Sequence, residues 1–293
     1  MTIVSKKMAS GRLLAEHAEL FRCPICKAEM EVIEYQSLIC SNKHCFDLAK
    51  QGYINLLAQG HKTKYDKGLF EARRAISDIG FFDPMLDRII AYMEKGMRDS
   101  NARTAIMDAG CGEGSHLNRL MHTLSLKGVH DAVGVGLDIA KEGIHAASRG
   151  DERTIWCVAD LANCPIADKQ LNTILNILSP SNYAEFTRLL ADDGQVIKVM
   201  PESGYLQELR EVFYRESDKD TYSNEKTLQH FSRSFKLVHS ERIEYKVHLD
   251  RAALEQLIYM TPLSWSASEA EKERALDQNI SDITCDFLIV VGK

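Results

Sequence analysis

The chain of 293 residues has no run of eighteen apolar residues, so nothing in it is long and greasy enough for a membrane-spanning helix. Its first residues are polar and basic where a secretory signal needs an apolar core. Together these absences predict a soluble protein of the cytoplasm with no membrane partner. Internal repeats and low-complexity tracts are missing as well, which argues for packed domains. So is any excess of positive charge, because 36 Lys and Arg face 42 Asp and Glu and leave a net −6. That balance disfavours nonspecific nucleic-acid binding by the chain as a whole. The charge is uneven, however: residues 1–75 carry 12 Lys and Arg against 8 Asp and Glu, and the remainder carries the acidic surplus. Such asymmetry suits a small domain that meets phosphates beside a large domain that holds a cofactor, and it equally suits a solvated face.

What the chain does have is cysteine in an ordered pattern. Cys23-Pro24-Ile25-Cys26 is followed, after thirteen intervening residues, by Cys40-Ser41-Asn42-Lys43-His44. Two tight turns of this kind bring thiolate and imidazole ligands together around a tetrahedral Zn²⁺. Cys45 leaves the fourth ligand open between itself and His44. Free cysteines beside a zinc pattern fit a reducing compartment.

A second pattern begins at Ala105-Ile106-Met107-Asp108, which runs into Ala109-Gly110-Cys111-Gly112-Glu113-Gly114 and then into the helical spacing Leu117, Leu120, Met121, Leu124. This is a strand, a glycine turn and a helix start, where a ligand can approach backbone and unpaired N–H groups. The acidic strand end and the Glu in the turn separate it from the dinucleotide fingerprint and match the form used by S-adenosylmethionine-dependent methyltransferases. Asp108, Gly110 and Gly112 are thus candidate cofactor residues. Two further apolar runs end in acid, at Asp138 and Asp160. In a doubly wound sheet, ligands bind beyond the carboxyl ends of the strands. Asp138 is placed to accept from both ribose hydroxyls and Asp160 to take the adenine amine; the alternative for each is a helix cap.

The alternation of patterns predicts an α/β fold, a Rossmann-like methyltransferase sheet with an N-terminal zinc-binding module. Strands are expected near 104–109, 132–138, 154–160, 172–178 and 194–200, with helices near 115–126, 141–148, 183–192 and 203–214. Runs at 237–243 and 285–291 supply two more strands, the last antiparallel. Earlier helices are expected over 13–20, 70–79 and 84–96, with polar loops at 60–68 and 216–226. The domain reading is an extension over 1–20, a zinc-binding RNA-recognition module over 21–58, a linker with connecting helices over 59–100, and the methyltransferase domain over 101–293. Tyr53-Ile54-Asn55-Leu56-Leu57 is expected to pack the small apolar side of the module.

Taken in order, the zinc pattern, Phe46 to Leu57, Ala72-Arg73-Arg74-Ala75, Asp108 to Gly114 and Met260-Thr261-Pro262-Leu263-Ser264-Trp265 carry a likeness. Over residues 21–293 the chain resembles the RlmA/RrmA (TlrB-like) family of 23S ribosomal RNA guanine-N1 methyltransferases. The resemblance implies zinc on Cys23, Cys26, Cys40 and His44, S-adenosylmethionine as cofactor, and cofactor contacts from His116, Leu117 and the aromatic of Gly80-Phe81-Phe82-Asp83-Pro84. Phe82 stands where the family often has Tyr, which removes a hydroxyl and leaves stacking or packing; Tyr205 stands where it can have His. It further implies a 23S rRNA hairpin as partner, a homodimer, and a link to macrolide resistance.

Around this core, Lys62, Lys64, Lys67, Arg73 and Arg74 suggest a basic track for RNA phosphate, and Arg73 and Arg74 equally suggest a charged helix face. Trp265 is either a base-stacking residue or a buried tryptophan. Asn176 and Ser179, ending the fourth strand at Asn176-Ile177-Leu178-Ser179-Pro180, are candidates to grip a guanine edge; no side chain stands out as the catalytic base. Two other classes fit parts of the pattern: a methyltransferase for a small molecule or protein with a purely structural zinc module, and a non-catalytic cofactor-binding RNA protein.

Overall fold

The computed structural model describes residues 5–61, 65–97, 104–150, 153–214, 223–278 and 280–293. Helix α1 (Lys6–Glu16), started by the Ser5 side chain accepting from the Met8 amide, leads into the cysteine-bearing segment. There β1 (Met30–Ile33), β2 (Ser37–Cys40) and β3 (Cys45–Asp47) form an antiparallel sheet. Next come β4 (Ile54–Asn55), α2 (Lys67–Asp78) and α3 (Asp83–Met97). The alternating region then supplies β5 (Thr104–Ala109), α4 (Ser115–Leu126), β6 (Ala132–Asp138), α5 (Lys141–Ala147), β7 (Thr154–Val158), β8 (Leu171–Ile177), α6 (Tyr183–Leu189), β9 (Leu190–Pro201) and α7 (Gln207–Phe213). The chain closes with α8 (Glu225–Ser234), β10 (Leu237–His248), α9 (Arg251–Met260), α10 (Glu269–Asp277) and β11 (Asp282–Gly292).

Because β5 to β8 are apolar on both faces, they occupy the middle of one eight-stranded sheet in the order β10-β11-β9-β8-β5-β6-β7-β4. The central pairs are parallel, and β11 inserts antiparallel between β9 and β10. One face packs on α3, α4 and α9 through Ile89, Leu120 and Leu257. The other packs on α6 and α8 through Phe186 and Phe231, and also on Leu14, Leu20, Phe21 and Leu38 from the N-terminal segment.

Several local expectations shift. The helix expected over 183–192 ends at Leu189, and β9 begins at once with Leu190, since Asp192, Asp193 and Gly194 interrupt the helical pattern. The first helix lies earlier, over Lys6–Glu16, and the helix expected from 203 starts at Gln207. Helices α8, α9 and α10 were not legible. Segment 53–57 does more than line the cysteine module: Ile54 pairs in parallel with Cys157, so β4 is the outermost strand of the main sheet. Lys62 and Lys64 lie outside the described residues.

Candidate active site and metal centre

Each cysteine turn is closed by a backbone hydrogen bond to the carbonyl of its first cysteine, from four residues on in one and three residues on in the other. Lys27 N donates to Cys23 O and Lys43 N to Cys40 O, each at 2.8 Å, with the two lysines at φ 64° and 65°. These turns bring Cys23, Cys26, Cys40 and His44 together with all four ligand atoms within 4.8 Å of one another. Individual separations are 3.5 Å for Cys23 Sγ to His44 Nδ1, 3.4 Å for Cys40 Sγ to His44 Nδ1 and 3.7 Å for Cys26 Sγ to Cys40 Sγ. Tetrahedral zinc with bonds of about 2.3 Å to sulfur and about 2.0 Å to nitrogen requires S···S edges of about 3.8 Å and S···N edges of about 3.5 Å. The set therefore fits Zn²⁺. Cys45 is exposed, points its thiol to Asp47 and stands outside the set. The Asn42 side chain and the Ala28 amide lower the Cys26 thiol to about 6, towards the thiolate that binds metal.

The glycine turn opens into a cavity of about 630 Å³ at the carboxyl ends of the central strands. Gly110 has φ 79°, and a Cβ there would lie 2.8 Å from the Ser179 side chain. Gly114 caps α4 at φ 81°, with the Trp156 ring 2.6 Å from where its Cβ would stand. No other residue fits either place without displacing its neighbour. Phe82, Gly110, Gly112, His116, Asp138, Asp160, Ser179 and Tyr205 all line the cavity. Two expected contacts do not. Asp108 is buried behind the turn, where burial and the neighbouring Asp138 and Glu113 push it up to about 8. The Leu117 side chain is fully buried with Leu120 and Met121 in the core beneath α4, which leaves only its backbone at the helix start.

The acids are tied into the turn. Asp138 Oδ2 accepts from Gly112 N and Oδ1 from Ala140 N, both at 2.8 Å. Asp160 Oδ1 caps the following turn through Ala162 N, also at 2.8 Å, while the residue still faces the cavity. Burial raises both Asp138 and Glu113 above the usual carboxylate range. Arg74 does not face RNA-accessible solvent freely. Its Nη2 donates to Glu113 O at 2.6 Å and pairs with Glu113 Oε2 at 3.1 Å. Arg73 instead lines the cavity and lies 5.8 Å from the ring centres of both Tyr65 and Phe70.

Residues 21–64 match the family described as RlmA, N-terminal. A Bacillus subtilis (strain 168) protein provisionally named 23S rRNA (guanine-N(1)-)-methyltransferase YxjB is 43% identical over 275 residues, covering 93% of this chain and 96% of that one. The chain belongs to the RlmA family of 23S ribosomal RNA guanine-N1 methyltransferases. The Streptomyces fradiae 23S rRNA (guanine(748)-N(1))-methyltransferase is 30% identical over 92% of this chain and 95% of its own.

For this RlmA-family methyltransferase the cavity fits S-adenosylmethionine on its own geometry. His116 Nε2 is buried without a hydrogen-bond partner among the described residues, and the ring is held edge-on to Phe82 at 4.9 Å. Burial lowers His116 to about 4, so the ring is neutral and has a lone pair or N–H to offer. The Cβ-free cradle and the carboxylate acceptor at Asp138 complete the set of groups around the cavity. When bound, the cofactor supplies an activated sulfonium methyl.

Asn176 departs from expectation. It is fully buried, and its Nδ2 donates to Ser179 Oγ at 2.6 Å and to Pro180 O at 2.9 Å while its Oδ1 receives Ser181 Oγ and Lys198 Nζ. With both ends occupied, Asn176 braces the strand end and cannot also read a guanine edge. Lys198 itself is a cavity residue that the sequence reading missed, although a lone Lys inside Val196-Ile197-Lys198-Val199-Met200 was a visible signal. Trp265 is half exposed and sits 5.8 Å from Tyr65, so it is not a buried tryptophan.

Proposed function

We propose that this enzyme transfers a methyl group from S-adenosylmethionine to N1 of a guanine in a hairpin loop of 23S rRNA. One observation carries the delivery of RNA to the cavity: the zinc module is fastened to the cavity rim. Asn163 Nδ2 donates to Pro24 O in the first cysteine turn at 3.0 Å, and Lys27 Nζ reaches Asn163 Oδ1. Asn163 closes the turn that starts at Asp160, whose side chain faces the cavity. RNA held against the zinc module is thereby within reach of the methyl site. A base in a duplex or stacked loop has to swing out to enter such a cavity. The half-exposed Trp265 beside Tyr65 offers a platform for a neighbouring base.

The module bears exposed Ile25, Ile33 and Tyr35, which support the further reading that two copies meet through it and hold one RNA between them. We place the enzyme in the cytoplasm with its ribosomal substrate, and we extend the reading to a link with macrolide resistance, as the family resemblance implies. Incubating the protein with labelled S-adenosylmethionine and total rRNA from cells lacking the gene tests the substrate. Label recovered as N1-methylguanine in 23S rRNA is the expected result. Label on protein or small molecules alone would overturn it, and sedimentation at working concentration tests the dimer.

A further inference from the structure

Lys198 is the one strongly basic side chain in an otherwise apolar stretch of β9, and it is only 4% exposed. A buried ammonium ordinarily has a carboxylate beside it. Here, among the described residues, none is bonded to Nζ. The nitrogen lies 2.6 Å from Asn176 Oδ1 and 2.8 Å from Ser181 Oγ, and Ser181 Oγ donates onward to Asn176 Oδ1 at 2.7 Å. Asn176 cannot turn its amide round, because its Nδ2 is committed to Ser179 and Pro180. Both partners of Nζ are therefore acceptors held in place. A neutral amine satisfies them with its two N–H groups and keeps its lone pair for the cavity that also holds the cofactor cradle.

We propose that Lys198 is the catalytic base of this enzyme, its neutral Nζ accepting the N1 proton of the bound guanine. The inference rests on the guanine-N1 reading above. The N1–H bond breaks and its proton passes to the lone pair on Nζ. The electron pair left on N1 forms the bond to the methyl carbon as the C–S bond breaks, and that pair stays on sulfur. Lys198 then returns the proton to water.

Burial by itself lowers Lys198 to about 8, so about a tenth of molecules hold it neutral at pH 7. The ionisable groups that share the cavity are Tyr65, Arg73, Cys111, Glu113, His116, Asp138, Asp160 and Tyr205, and Tyr183 lies behind Ser181. His116 is already neutral in this range, whereas Asp108 behind the glycine turn titrates near Lys198. The pH profile is therefore assigned by variants.

Single-turnover methylation of a 23S hairpin RNA is measured from pH 6 to 9.5 for wild type, Lys198→Met, Lys198→Gln and Lys198→Arg, with S-adenosylmethionine affinity measured alongside. The wild-type rate should rise with a midpoint near pH 8 towards a plateau above about pH 9. Met, Gln and Arg should each lose about 10²–10⁴-fold in rate, with cofactor affinity unchanged. Gln retains a hydrogen-bond donor and Arg a charge, so neither rescue nor misfolding of the Met variant alone confuses the result. Lysine-selective carbon NMR of the cofactor-free protein should give one resonance titrating near 8 that is absent from Lys198→Gln. A wild-type rate in Lys198→Arg, or a Lys198 resonance titrating at the ordinary lysine value, would overturn the proposal. N1-methylguanine formed by wild type but equally by Lys198→Gln would overturn the base and leave the substrate reading standing.

Discussion

Asp138 and Gly112 are joined by a 2.8 Å hydrogen bond from the glycine amide to Oδ2, so the acid that ends β6 also shapes the turn that ends β5. The same carboxylate, through Oδ1, fixes the start of the segment leading to α5. It is at once a brace for the turn and an acid that lines the cavity.

Removing it should act on the cofactor first. Asp138→Ala should weaken S-adenosylmethionine binding by about ten- to a hundred-fold, the range for hydrogen bonds to a charged group worth about 1.5–3 kcal/mol. Titration calorimetry on folded variant checks this. Wild-type affinity would reduce Asp138 to a brace.

Asp108 predicts a pH dependence of stability in the cofactor-free protein. Its folded value of about 8 stands well above the ordinary aspartate range, because burial and the nearby Asp138 and Glu113 disfavour the carboxylate, so the folded state binds the extra proton. Stability from this group is full below the unfolded value and is lost as pH rises from about 4 through 8, in total by about 5–6 kcal/mol at about 1.4 kcal/mol per pH unit. Asp108→Asn should flatten that limb in urea melts taken at pH 5 and 8. Parallel curves for the two proteins would contradict it.

The zinc module should hold a single zinc through His44. Cys45→Ser should keep full metal content, since its thiol is exposed and outside the ligand set. Cys23→Ser and His44→Ala should lose the metal, and the small module should unfold locally with it, because too little core remains. Metal analysis with far-UV dichroism distinguishes these outcomes, and loss of zinc in Cys45→Ser would reverse the assignment.

At the cavity mouth, Trp265→Ala should weaken RNA binding by about ten- to a hundred-fold, as expected when one stacked base loses its aromatic partner. Cofactor affinity should stay put. Arg74→Gln, by contrast, should leave the salt slope of RNA binding unchanged, because that guanidinium is spent on Glu113. A slope lowered by about one unit would return Arg74 to the RNA path.

Local pattern alone carried much of this protein. The bounds of β5 and β6 were readable to the residue, since a parallel strand buried on both faces is a continuous apolar run closed by a polar one. The cysteine spacing and the glycine turn were equally plain, because a metal knuckle and a ligand-approaching turn need fixed residue types within a few positions. Tertiary structure decided the rest. Which of two adjacent residues, His44 or Cys45, joins the ligand set depends on where β3 begins and how its pleat turns them apart. Arg74 became part of the turn, Asn176 a saturated brace and Lys198 a lone amine at the cavity floor because of partners far away or across the sheet. The zinc module meets the cavity rim through Pro24 and Asn163, residues 139 apart in sequence. Periodicity reports how a segment presents its own faces; it contains no information on which distant group will occupy the space opposite, and that space sets burial, charge state and chemistry.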